Sequence, residues 1–158
     1  MPIIIIETKI NAPIKRVFDL ARCIDLHTES LSDSKEKAVA GKTKGLINKD
    51  ETVTWEAIHF GIKQKLTSKI TVFEPPRRFR DSMVKGAFRR FDHDHFFEMK
   101  DSQTIMKDVF DYDSPLGFLG NIADALFLEN YMTKLLESRN AMIKTVAESD
   151  DWKKYIKK

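Results

Sequence analysis

The chain has 158 residues, 42% hydrophobic and 32% charged, the size and balance of one globular domain with a substantial core. Its 27 bases against 24 acids leave a net charge of +3, too small an excess for a dedicated nucleic-acid binder. Cys23 is the only cysteine, which excludes an internal disulfide and any multi-cysteine metal site.

Ile3 to Ile10 is short and β-branched and reads as a strand. Its apolar opening meets Glu7 too soon for a leader or a membrane span, so the expected address is cytoplasmic, with no stable membrane insertion. Pro13 opens a helix marked by Ile14, Val17, Phe18 and Ala21, and a second short helical turn covers Asp25 to Ser30. The neighbours Phe18, Ala21, Ile24 and Leu26 make Cys23 a packed thiol rather than a nucleophile. Residues 32–50 are polar and read as a loop, with Gly41 and Gly45 as turn signals and a run of lysines from Lys35 to Lys49.

The middle of the chain is strand after strand. Val53, Trp55, Ala57 and His59 share one face, and after a turn at Gly61 so do Ile62, Leu66, Ser68, Ile70 and Val72. Pro75-Pro76 stops that strand, since neither residue can donate to a ladder. Strands over Phe79 to Lys85, Phe91 to Lys100 and Thr104 to Asp113 follow on short turns, which favours antiparallel neighbours. A bulge at Gly86 would flip inward assignments downstream. After Ser114-Pro115-Leu116-Gly117, residues 118–148 hold no proline and carry a broad apolar stripe from Leu119 and Leu126 to Ile143 and Val146. One long helix across the sheet is expected there. Residues 1–149 form a single domain in this reading. Residues 150–158 are a basic tail, frayed or lightly docked through Trp152, Tyr155 and Ile156.

The order and its motifs resemble the helix-grip superfamily of START domains, birch-pollen-type allergens, aromatic polyketide cyclases and quinone-binding proteins (the SRPBCC group). The resemblance is nearest to a bacterial cyclase/dehydrase-like branch. The pieces that carry it are Thr52-Val53-Thr54-Trp55-Glu56-Ala57, Pro76-Arg77-Arg78-Phe79-Arg80-Asp81, Gly86-Ala87-Phe88, Phe91-x-His93-x-His95-x-Phe97, and Asp108-x-Phe110-x-Tyr112 running into Pro115-Leu116-Gly117. The resemblance implies an α+β fold: a curved antiparallel sheet of six or seven strands wrapped on a long C-terminal helix, with two short helices after the first strand. It also implies a cavity for a small hydrophobic or amphipathic ligand such as a lipid, polyketide or quinone-like molecule. It does not imply a reaction, because one scaffold hosts many activities.

Residues 91–97, Phe-Asp-His-Asp-His-Phe-Phe, hold the most unusual pattern. Strand alternation puts His93 and His95 on the inward face between Phe91 and Phe97, where an unpaired polar group is costly. Two readings stand side by side: the imidazoles orient a ligand's polar end, or each is held by a structural partner. Asp108 on the next strand alternates with inward Met106 and Phe110 and is a candidate partner; Asp81, in phase with Phe79 and Met83, joins the same network. The expected ligand-binding lining is Trp55, Asp81, Met83, His93, His95, Asp108, Phe110, Tyr112, Leu128, Met132, Leu135 and Leu136. The alternatives are a cyclase, dehydratase or hydrolase using His93 or His95 with Asp108 as an acid–base pair, and a filled-core interaction module. His-x-His with Asp81 or Asp108 has the spacing to ligate zinc, but no firm third ligand stands out, so no metal or cofactor is assigned. His59 reads as a surface or rim residue, and the arginines of 77–90 as a solvated face or a partner for Asp81. No catalytic elbow, phosphate loop or dinucleotide fingerprint is present. Nothing in the sequence sets the oligomeric state.

Overall fold

A computed structural model describes residues 2–113 and 122–156. Seven strands, β1 (Ile3–Ile10), β2 (Lys37–Gly41), β3 (Thr52–His59), β4 (Ile62–Glu74), β5 (Arg78–Lys85), β6 (Arg90–Lys100) and β7 (Gln103–Asp113), form one antiparallel sheet. Its order is β1-β7-β6-β5-β4-β3-β2. Consecutive strands are neighbours from β2 to β7, as their short turns require, and β1 closes onto β7 with Ile4 opposite Phe110 and Ile10 opposite Thr104. The helices α1 (Ile14–Ala21) and α2 (Ile24–Ser30) fill the connection from β1 to β2, and α3 (Ile122–Ala147) follows the sheet. At about 1.5 Å per residue, the 26 residues of α3 extend roughly 39 Å. Ser114 to Gly117, and the expected helical start at residues 118–121, lie outside the described residues.

Strand alternation explains the buried face. In β1, Ile4 and Ile10 are buried while Ile3 and Ile5 point outward, and in β7 every second residue from Thr104 to Tyr112 is buried. Phe79, Asp81 and Met83 on β5 and alternate residues from Phe91 to Phe97 on β6 keep the expected inward phase, with Arg78–Ser82 paired in register with Asp92–Phe96; the slip against β4 falls later, at Val84. One phase differs from expectation. A register shift between Ile70 and Val72 turns Phe73 inward, where its ring meets Phe18 at 5.8 Å, in place of Val72.

The polar stretch after α2 also differs, since it contains β2. This strand pairs with β3 through an irregular register, and its side chains are mostly exposed. An edge strand with lysine and glycine gives little apolar alternation to read. Gly41 ends it with φ 73°, where a Cβ would run into the carbonyl oxygen of Thr52. Of the two outcomes open to the tail, docking is the one observed. Trp152, Tyr155 and Ile156 pack against the main core, Arg16 lies over the Trp152 ring at 4.2 Å, and the Tyr155 hydroxyl donates to Glu29.

On the outer face of the sheet, Arg78 and Arg80 both reach Asp94, at 2.9 and 2.7 Å, rather than Asp81. Burial pulls the Asp94 carboxyl up, but Arg80 and Arg78 together outweigh it and hold it below the usual carboxylate value. Among the described residues no helix is long and apolar enough to cross a membrane.

Candidate functional site

Beneath the sheet the core is divided. One apolar cluster gathers Ile10, Val17, Phe18, Phe79, Phe97, Met106 and Ile143 with their neighbours; a second gathers Ile4, Phe91, Phe110, Tyr112 and Leu136, with Met83, Phe88, Leu128 and Met132 packed against it. Between them, four elements, β5, β6, β7 and α3, turn polar at the same level. On β5, Asp81 separates Phe79 from Met83. On β6, His93 and His95 separate Phe91 from Phe97, and on β7 Asp108 separates Met106 from Phe110. On α3, Arg139 and Asn140 lie one turn from Leu136 and one turn from Ile143, so they fall on the same inward stripe.

The layer is held by crossed hydrogen bonds. Strand register sets Asp81 opposite His93 and His95 opposite Asp108, yet the shortest bonds run diagonally. His93 donates from Nε2 to Asp108 Oδ1 at 2.9 Å, and His95 donates from Nε2 to Asp81 Oδ2 at 2.7 Å. Diagonal neighbours lie within reach of such side chains. The two imidazole rings sit 3.9 Å apart, and His95 also stacks on Phe79 at 4.2 Å. Asp108, with no exposed surface, lies 3.2 Å from His95 Nδ1 and accepts from Arg139 at 3.3 Å and Asn140 at 2.7 Å. The remaining Arg139 nitrogen donates to the Ala21 carbonyl at 3.0 Å, which ties the end of α1 to the layer.

These contacts set the charges. Burial pushes the Asp108 carboxyl up, but His93, His95 and Arg139 outweigh it and hold the group well below the usual range. Asp81 is likewise lowered, by His95 and His93 against its burial. Burial works to lower His95, and its bonds to Asp108 and Asp81 overcome that and raise it. His93 goes down, because burial and the neighbouring His95 charge exceed the pull of the carboxylates. The layer therefore holds two carboxylates, one guanidinium, one imidazole inclined to carry charge and one inclined to stay neutral.

A cavity of about 80 Å³ opens against one side of the layer. Asp81, His93, His95 and Arg139 form its polar wall; Val53, Trp55, Ile70, Phe79, Ile24 and Ile47 form most of the rest, with Ser68. His27 stands over Trp55 at 4.2 Å and donates to Glu36 at 2.7 Å.

The expected lining residues thus fall into groups. Trp55, Asp81, His93 and His95 are on the cavity wall, and Asp108 lies behind the histidines. Met83, Phe110, Tyr112, Leu128, Met132 and Leu136 belong to the second apolar cluster, across the polar layer, and Leu135 is half-buried on α3. His59 is held at a rim, its Nδ1 2.6 Å from the Tyr131 hydroxyl, which ties the β3–β4 turn to α3.

Two principal residues escaped the sequence reading: Arg139 and Asn140. The signal was there, since a charge and an amide interrupt the apolar stripe between Leu136 and Ile143 at helical spacing.

An antiparallel sheet closed by its first strand and gripping a long C-terminal helix is the helix-grip architecture. The chain belongs to the family described as "Polyketide cyclase / dehydrase and lipid transport", whose model matches residues 10–138. No curated protein matches the sequence. The fold is similar to that of TTHA0849 from Thermus thermophilus, with a TM-score of 0.70 and 17% identity over 92% of this chain and 99% of that one. It is also similar to major latex-like protein 151 from Panax ginseng, with a TM-score of 0.65 and 13% identity over 94% and 98% of the two chains. A third similar structure, Ara h 8.0201, has a TM-score of 0.62 and 11% identity over 91% and 98%.

Proposed function

We propose that the protein binds a small hydrophobic or amphipathic molecule in the cavity between sheet and helices, with its polar end against Asp81 and His93 and its apolar part against Trp55 and Ile70. One observation carries this reading: Val53, Trp55, Ile70 and Phe79 give the cavity an apolar wall, and several hydrogen-bonding groups of the polar layer converge on it from one side. Its size narrows the ligand. A cavity of about 80 Å³ is small beside ordinary ligand pockets of about 300–1,000 Å³. A single ring with one or two polar substituents fits this space better than a long acyl chain, and anything larger requires Trp55 and His27 to move aside. An ionised Asp81 on the wall selects a ligand end that donates a hydrogen bond, such as a hydroxyl or phenol.

The test is native mass spectrometry of the purified chain, with solvent extraction of any copurified compound, followed by titration of that compound or of a panel of small phenols. Binding in the cavity is expected to weaken at least tenfold in Trp55→Ala and in Asp81→Asn. Absence of any bound mass together with no saturable phenol binding overturns the reading.

A further inference from the structure

We infer that Asp81, His93 and His95 form a binding site for one divalent first-row transition-metal ion. Among the described residues they are a group of ligand atoms lying within 4.8 Å of one another. Asp81 Oδ2 is 2.7 Å from His95 Nε2 and 4.0 Å from His93 Nδ1. With bonds of about 2.0–2.2 Å to nitrogen and oxygen, neighbouring donors around a tetrahedral zinc stand roughly 3.3 Å apart. The two separations to Asp81 straddle that value, and side-chain adjustments that change them by roughly 0.6–0.7 Å bring the three donors onto one ion.

A second observation is what lies behind the imidazoles. Each presents one nitrogen toward Asp81 and the other toward Asp108: His93 through Nε2 at 2.9 Å, His95 through Nδ1 at 3.2 Å. A carboxylate on the far nitrogen fixes ring orientation and strengthens the near nitrogen as a ligand, the arrangement commonly found around histidines that bind metals. Asp108 is in turn held by Arg139 and Asn140, so the support is rigid. Arg139 spends its charge on Asp108, and Asp81, with a side chain 21% exposed, is the carboxylate of the layer that reaches the cavity.

The third observation is access. All three donors face the cavity, so an ion held by them keeps an open coordination position toward it. Three protein donors with an open position is the pattern of a working site rather than a structural one. Two imidazoles and one carboxylate favour zinc, cobalt, nickel, copper or iron(II) over calcium and magnesium, which take oxygen. The site shares the cavity of the proposed ligand but requires no organic molecule.

The experiment uses the full chain, stripped with chelator and exchanged into metal-free buffer, and titrates cobalt(II) chloride alone. One ion per chain is expected by calorimetry, together with visible absorption of low-symmetry cobalt. Proton NMR of the same sample is expected to show two imidazoles shifted strongly by the paramagnetic ion. Asp81→Asn, isosteric and at the cavity edge, is expected to weaken binding at least tenfold, and Asp108→Asn about 10–100-fold. Asp94→Asn on the outer face leaves it unchanged. No binding at millimolar cobalt, binding indifferent to Asp81→Asn, or shifts confined to His27 or His59 overturn the inference. The NMR result needs no variant to fold. A chain that takes cobalt but no organic molecule keeps this inference and loses the ligand reading; the converse result does the opposite.

Discussion

Replacing Asp108 by Asn removes one charge and almost no volume, and it isolates what the polar layer contributes to stability. The wild-type carboxylate has no exposed surface and receives His93, Arg139 and Asn140, with His95 3.2 Å away. After substitution, Arg139 is left buried, with only a carbonyl, an amide oxygen and distant Asp81 to balance its charge. The new amide nitrogen must also face the donors of Asn140 or Arg139. Breaking a buried pair from one side costs about 3–5 kcal/mol. At about 2–4 °C per kcal/mol for a chain of this size, the melting temperature falls by roughly 6–20 °C. Arg139→Met is milder, about 1–3 kcal/mol, because Asp108 keeps both histidines and Asn140. The double variant is then expected to fall short of the sum by at least about 1 kcal/mol, since the second change removes the charge the first one stranded. Urea unfolding followed by far-ultraviolet circular dichroism, with chelator present and m-values compared, measures all four proteins. A loss below about 1 kcal/mol in Asp108→Asn, or strict additivity in the double variant, refutes the view of the layer as a mutually compensated network.

Asp94→Asn tests the outer face. The folded Asp94 carboxyl lies below its ordinary value, so its contribution, on the order of 1 kcal/mol, is complete above about pH 4 and fades as pH falls through the folded value. Urea midpoints of wild type and variant should differ at pH 7 and converge in acid; a difference that grows on acidification rejects the assignment. Cys23 is buried, and burial pushes its thiol up, so a disulfide reagent such as dithiobis-nitrobenzoate should label it only as fast as the chain unfolds. Rapid stoichiometric labelling of native protein contradicts that placement. Gly41→Ala forces a Cβ onto the Thr52 carbonyl, whereas Gly61→Ala, at φ 75°, meets open space. Thermal melts should therefore show a loss well above about 1 kcal/mol for the first and near that value for the second, and equal losses would dismiss the contact.

The strands with one wet face were readable because alternation is strict: Val53, Trp55 and Ala57, or Thr104 through Tyr112, cannot be buried in any other phase. The same logic failed where the ladder itself is irregular. Phe73 reaches the core only because the register slips after Ile70, and no residue in that stretch advertises a bulge. β2 is an edge strand whose side chains meet solvent, so burial left no mark on its composition. At the site, alternation put Asp81, His93, His95 and Asp108 on one face, and the structure places them within hydrogen-bonding distance of one another. The diagonal pairing was out of reach, because register fixes which residues are opposite and not which side chains bond. Arg139 and Asn140 were hidden for a different reason: a broad apolar stripe tolerates a polar interruption, and only the sheet below shows what that interruption meets.

The polar layer also has a mechanical meaning. Sliding α3 by one turn, about 5.4 Å, would carry Arg139 away from Asp108 and into one or other apolar cluster, leaving opposite charges stranded on both sides. The helix is thus keyed to the sheet in a single register, by charge rather than by shape. The key also divides. The compartment around Trp55 and Phe18 and the compartment around Phe91 and Phe110 are held apart by hydrogen-bonded side chains, with Leu66 packed against both. A guest that forces Trp55 aside expands the first compartment and reaches the second through Leu66, its neighbour on β4, while the charged key holds the helix in place.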